Sequence, residues 1–109
     1  MSEQPRMKIP QSAKGNARMA LETRKNLPPS RRGMTAVGLA RANQLINEDT
    51  ISLDDAKEIF SFLSRHEVDL KSKEFRELGW ESKAGQAIRG WGGMGWKSKL
   101  ESFINANDK

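Results

Sequence analysis

The sequence predicts an all-α protein: a small single-domain bundle of about five short helices preceded by an extended basic N-terminal arm. Three observations carry that expectation. Apolar residues recur at i, i+3, i+4 and i+7 over several stretches of the 109-residue chain, the period of a helix with one buried face. Hydroxyl residues stand just ahead of several of these stretches, where a helix needs acceptors for its orphan N–H groups. No segment shows the convincing alternation of apolar and polar residues that marks a half-buried strand. The length fits one domain, with residues 1–11 read as the arm and 12–109 as the helical domain.

Met1–Gln11 carries Pro5 and Pro10 and no apolar period, hence the arm, along which Arg6 and Lys8 alternate with Met7 and Ile9. Ser12 is the expected cap of a first helix running to about Asn26, with Ala13, Ala17, Ala20 and Leu21 as a narrow apolar stripe. Leu27-Pro28-Pro29 ends it, because proline lacks the N–H donor and restricts the residue before it. Thr35 is placed to cap a second helix, Ala36–Asn47, burying Val37, Leu39, Ala42, Leu45 and Ile46. Ser52-Leu-Asp-Asp55 is a short-acid capping box, with Ile51 positioned to staple against Ala56. The third helix then offers Ala56, Ile59, Phe60 and Leu63 to the core. From Glu67 to Glu81 the period weakens, predicting a packed loop with a helical turn. Ser82 caps a fourth short helix using Ala84, Ala87, Ile88 and Trp91, which Gly92-Gly93 breaks. A fifth, about Met94–Asn105, presents Trp96, Leu100, Phe103 and Ile104.

Composition removes several classes of function. With no cysteine there is no disulfide framework or thiolate metal site, and one histidine, His66, makes no zinc site of the usual type. No apolar run approaches the ~20 residues that cross a bilayer, and the polar, proline-bearing N-terminus does not read as a signal peptide. No membrane partner is expected. The pattern G-x-x-x-x-G-K-[ST] of a phosphate loop is absent, and no cofactor is expected.

Charge supplies the strongest functional signal. Residues 1–46 hold nine Lys/Arg against two acids, a balance of +7, whereas residues 47–109 hold ten against twelve, a balance of −2. Such asymmetry points to an anionic partner. Phosphate recognition needs several cations along one surface and no fixed spacing. The candidate nucleic-acid-binding residues are therefore Arg6 and Lys8 on the arm, Lys14, Arg18 and Lys25 on the first helix, and Arg31 and Arg32 in the loop after it. An acidic protein surface would satisfy the same cations.

Three other constellations read as structural. The second and third helices resemble a helix-turn-helix in order, but Asp54, Asp55 and Glu58 would lead the recognition helix, and these repel phosphate. An αα-hairpin in the core is expected instead. Ser64-Arg65-His66-Glu67-Val68-Asp69 brings together groups a metal-dependent nuclease would use, yet no further ligand set accompanies it. His66 is read as a helix-end partner, and the protein as no enzyme. Trp91-Gly92-Gly93-Met94-Gly95-Trp96 offers rings on which bases would stack. Both tryptophans fall on apolar helix faces, which predicts core packing across a glycine corner.

Three segments occur in a telling order: Arg32-Gly-Met-Thr-Ala-Val-Gly-Leu-Ala-Arg41-Ala-Asn-Gln-Leu45, Phe60-Ser-Phe-Leu-Ser-Arg65-His66-Glu67-Val-Asp69, and Ala87-Ile-Arg-Gly-Trp91-Gly-Gly-Met-Gly-Trp96. Together they resemble a small uncharacterised helical domain of tailed bacteriophages, found alone or attached to head-morphogenesis proteins such as prohead proteases. The likeness spans about Ile9–Ile104. The chain departs from the family in the third helix, where Asp54, Asp55 and Glu58 stand in place of basic residues. The resemblance implies a phage origin and proximity to capsid or packaged DNA, in the host cytoplasm or the virion, and brings no catalytic residues. The expectation is an accessory module that binds nucleic acid or nucleoprotein. The alternatives are a virion or head-assembly protein docking on another protein, and a small inhibitor of a host enzyme.

Overall fold

The computed structural model describes residues 5–107, and Met1–Gln4 of the expected arm lie outside them. The all-α expectation holds for the architecture, with six α-helices rather than five among the described residues, and a two-stranded sheet that the sequence did not suggest. In chain order these are β1 (Arg6–Lys8), α1 (Gln11–Asn26), α2 (Ala36–Asn47), β2 (Thr50–Ser52), α3 (Leu53–His66), α4 (Lys73–Leu78), α5 (Lys83–Gly90) and α6 (Lys97–Asn107). Short 3₁₀ turns at Pro29–Arg31, Glu67–Lys71, Gly79–Glu81 and Met94–Trp96 join them.

The described part of the arm is not free. Arg6, Met7 and Lys8 pair antiparallel with Ser52, Ile51 and Thr50. The Ile9 N–H donates to the Asp49 carbonyl at 2.9 Å, and the Ile9 side chain is fully buried. The apolar side chains between the two cations drive this: Met7 packs against the core and Ile9 enters it. Strand alternation then leaves Arg6 and Lys8 together on the exposed side.

α1 starts two residues before the expected position. Pro10, with φ −63° and ψ 150°, occupies the N-cap, and its carbonyl accepts from Ala13 and Lys14, so Ser12 caps nothing. Its small stripe of Ala13, Ala17 and Ala20 lets α2 and α5 pack closely upon it. α3 packs chiefly on α6 through Ile59, Leu63 and Leu100, all fully buried. The central αα-hairpin of α2 and α3 is therefore corrected: their main helical partners are α1 and α6 respectively. Phe60 is half-buried, with the Lys97 ammonium 5.7 Å from its ring centroid. Val37, expected inside, is 65% exposed.

The expected caps at Thr35, Ser52 and Ser82 form, their hydroxyls accepting from Gly38, Asp55 and Gly85. Ser72 caps the additional helix α4 by accepting from Phe75. The glycine corner is a packing device. Gly92 and Gly93 take φ +99° and +81°, a region open to glycine without steric cost. A Cβ at Gly92 would lie 2.5 Å from Trp96 Nε1. That indole N–H donates to the Trp91 carbonyl at 3.2 Å, across the corner. Gln86, fully buried in α5, fastens the basic loop: its Oε1 accepts from the Gly33 N–H at 2.8 Å, and its Nε2 donates to the Arg31 carbonyl at 3.1 Å.

Candidate functional site

The fold divides the seven nominated cations into three groups. Lys14 and Arg32 turn inward to helix ends. Lys14, 6% exposed, donates from Nζ to the carbonyls of Leu45 (3.0 Å), Ile46 (3.4 Å) and Glu48, at the C-terminus of α2. Arg32 does the same for α1, donating to Arg24 and Leu27 from Nε at 3.1 and 3.0 Å, and to Lys25 from Nη2 at 3.3 Å. The last carbonyls of a helix have no intrahelical donor and carry the negative end of its dipole. A cation there satisfies both needs; the Lys14 ammonium is fully engaged, whereas Arg32, half-buried, keeps its Nη1 group without a hydrogen bond among the described residues.

A second group is exposed but partly engaged. Arg6 donates to Thr50 Oγ1 at 2.8 Å and to the Thr50 carbonyl at 3.0 Å. Arg31 faces Glu81 at 3.3 Å across the surface. The third group, Lys8, Arg18 and Lys25, is exposed and has no hydrogen-bond or ion-pair partner among the described residues. Arg18 and Lys25 are two turns apart on one stripe of α1, about 10 Å along the axis. Lys8 shares its side of β1 with Arg6.

A separate constellation brings together the three segments quoted above, and the sequence reading did not assemble it. Arg41 of α2 lies 5.0 Å over the Trp91 ring, and Phe62 of α3 stacks on Trp91 at 4.2 Å with 6° between the planes. His66 stands 4.3 Å from Phe62, and its Nδ1 is 2.8 Å from Asp69 Oδ2. Contacts from Arg41 and Phe62 with 7% exposure of Trp91, and 1% exposure of Trp96, leave neither ring open to a base. The base-stacking alternative is thereby corrected. The signal was present in the residues, since Arg41, Phe62, His66 and Trp91 all belong to those segments, but their meeting is set by tertiary packing alone.

Arg41, only 8% exposed, is held by Asp55 at 3.2 Å, by Glu58 and by Gln44 Oε1 at 2.5 Å. Partial burial pushes the Asp55 carboxyl up. Hydrogen bonds from Gln44, Arg41 and Ser52 and the Arg41 charge together outweigh it, so Asp55 titrates below the ordinary carboxylate range. The acids that seemed to oppose phosphate therefore include two counter-ions of Arg41. Beside this pair, Val37, Lys57, Glu58, Ser61, Arg65 and Trp91 line a solvent-open cleft of about 540 Å³. Among the described residues no group of three or more His, Asp or Glu side chains is placed to hold a metal ion, and no helix is long and apolar enough to cross a membrane. No known protein family, curated protein or solved structure matches the chain.

Proposed function

We propose that the chain is a phage-encoded accessory module that binds nucleic acid or nucleoprotein, without catalysis, through phosphate contacts at the outer face of β1 and α1. The observation that carries this reading is the presence of three exposed cations without partners among the described residues, Lys8, Arg18 and Lys25, in the half of the chain that holds the +7 balance. Arg6 and Arg31 extend that surface, whereas Lys14 and Arg32 support it from within as helix-end partners. Contacts of this kind position a polyanion without reading its bases.

With ~3–5 phosphates neutralised on duplex DNA, log K falls with log salt at a slope of about −2.7 to −4.5. Fluorescence anisotropy with a labelled duplex over a range of salt concentrations measures it. Replacing Lys8, Arg18 and Lys25 together by Ala flattens the slope by about 2.7 and leaves preference among sequences unchanged. Absence of binding at low salt, or a slope indifferent to the three substitutions, overturns the proposal.

A further inference from the structure

We propose that Arg89, held over the ring of Trp80, is a further phosphate contact that carries the polyanion-binding surface from α1 onto α5. The inference rests on the nucleic-acid reading above. It adds a residue from the half of the chain whose charge balance is −2.

The pair is built from a glycine outward. A Cβ on Gly85 would lie 2.7 Å from the Gly79 carbonyl oxygen and 2.8 Å from Trp80 Cα. Glycine there lets the Gly79–Glu81 turn press against α5. Ser82 fixes the turn, its hydroxyl donating to the Gly79 carbonyl at 2.7 Å and accepting from the Gly85 N–H at 2.9 Å. Arg89 follows Gly85 by one helical turn on the same face, and its guanidinium sits 4.3 Å from the centroid of the Trp80 ring. Phe75 of α4 meets that ring at 5.0 Å, with 82° between the planes. Trp80 stays 37% exposed, so the stack stands at the surface.

Arg89 lies in the last turn of α5, where orphan carbonyls would capture a cation. The glycine corner has already taken them: the carbonyls of Ala87, Ile88 and Arg89 accept from the N–H groups of Trp91, Gly93 and Gly92. The Arg89 side chain makes no hydrogen bond or ion pair among the described residues. No side-chain nitrogen sealed from solvent lacks a partner, so Nε, Nη1 and Nη2 of Arg89 all reach water. The carboxylates of α4 and the turn are engaged elsewhere. Glu81 faces Arg31, Glu74 accepts from the Lys83 N–H, and Glu77 lies 3.9 Å from Lys73.

This is a cation prepared for an anion. Burial pushes the Arg89 guanidinium down from its ordinary value, yet it stays charged at neutral pH. Part of its dehydration and ordering is complete in the free protein, which leaves less to lose on binding. Its fork of donors suits the two free oxygens of a phosphodiester. α5 packs along α1, and the Gly79–Glu81 turn touches α1 as well. The pair therefore stands beside the helix that carries Arg18 and Lys25.

The test is fluorescence anisotropy of a labelled DNA duplex over a range of salt concentrations, with variants of the full chain. Arg89→Gln should weaken binding and flatten the slope of log K against log salt by about 0.9, the share of one phosphate. Arg89→Lys, which restores the charge, should restore the slope. Trp80→Leu leaves the charge and removes its support, and should weaken binding about two- to fivefold. In the ¹⁵N-labelled parent, the duplex should move the Trp80 indole N–H cross-peak and leave that of buried Trp96 in place. A parental slope in Arg89→Gln overturns the proposal, as does a Trp80 peak that the duplex leaves unmoved. If the slope responds to the Lys8, Arg18 and Lys25 substitutions and not to Arg89→Gln, only this contact falls. If it responds to Arg89→Gln and not to those three, the reading of the β1 and α1 face falls instead. A parent that binds no duplex at low salt ends both.

Discussion

Lys14 and Arg18 lie one turn apart on α1, yet Lys14 is 6% exposed and bonded to the last carbonyls of α2, whereas Arg18 is exposed and without a partner among the described residues. Arg32 and Lys25 repeat the contrast, since Arg32 donates to three carbonyls at the end of α1 while Lys25 is exposed and unpartnered among the described residues. Cations close together on the chain, and even on one stripe of α1, are thus divided between completing helix ends and facing outward. Net charge does not distinguish these uses; the availability of an orphan carbonyl does.

The comparison breaks first at Lys14. Lys14→Met keeps the aliphatic stem but removes the charged donor, leaving the Leu45 and Ile46 carbonyls without it. The expected loss is about 1.5–3 kcal/mol, seen as a lower urea midpoint. Stability within error of the parent would mean that Lys14 belongs with the outward set. Ala17→Leu probes the same inner face by volume. Ala17 is fully buried where α2 and α5 approach α1, and overpacking there should cost about 1–3 kcal/mol; an unchanged melting temperature would show that the helices do not pack this closely. At Arg18 the expectation reverses. Arg18→Ala should shift stability by no more than about 0.5 kcal/mol, and a larger loss would place its side chain in an ordered contact.

Asp55 sharpens the same contrast through pH. Its folded pKa lies below the unfolded value, so the contribution is fully present above the ordinary carboxylate value, about 3.9. It is lost as pH falls through the lowered folded value. The stability difference between the parent and Asp55→Asn should therefore shrink as denaturation is followed from pH 6 toward pH 2. A difference that stays constant across that window would remove Asp55 from the account of Arg41.

Local signals are legible in the sequence, and contacts at long range are not. The hydroxyls of Thr35, Ser52 and Ser82 cap the helices that follow them because cap and N–H donor are three residues apart. The end of α1 at Asn26 follows from Pro28 and Pro29 by the same local logic. β1 is concealed because the alternation of Arg6-Met7-Lys8-Ile9 is short and flanked by Pro5 and Pro10, and β1 and β2 pair, Arg6 with Ser52, only through the tertiary fold. α4 was missed because its six residues hold only Phe75 and Leu78 as apolar side chains, too few to show a period. Lys14 is the instructive case for the site. Its helical spacing with Arg18 is real, but the Leu45 carbonyl that captures it comes 31 residues later.

Position relative to helix ends, and not charge alone, decides which cations can meet a polyanion. The salt dependence of duplex binding in two variants, Lys14→Met and the combined Lys8, Arg18 and Lys25→Ala, separates the two sets. Lys14→Met should leave the slope of log K against log salt unchanged while lowering stability, and the triple variant should flatten the slope by about 2.7 at unchanged stability. A slope that responds to Lys14→Met and not to the triple variant would contradict this division.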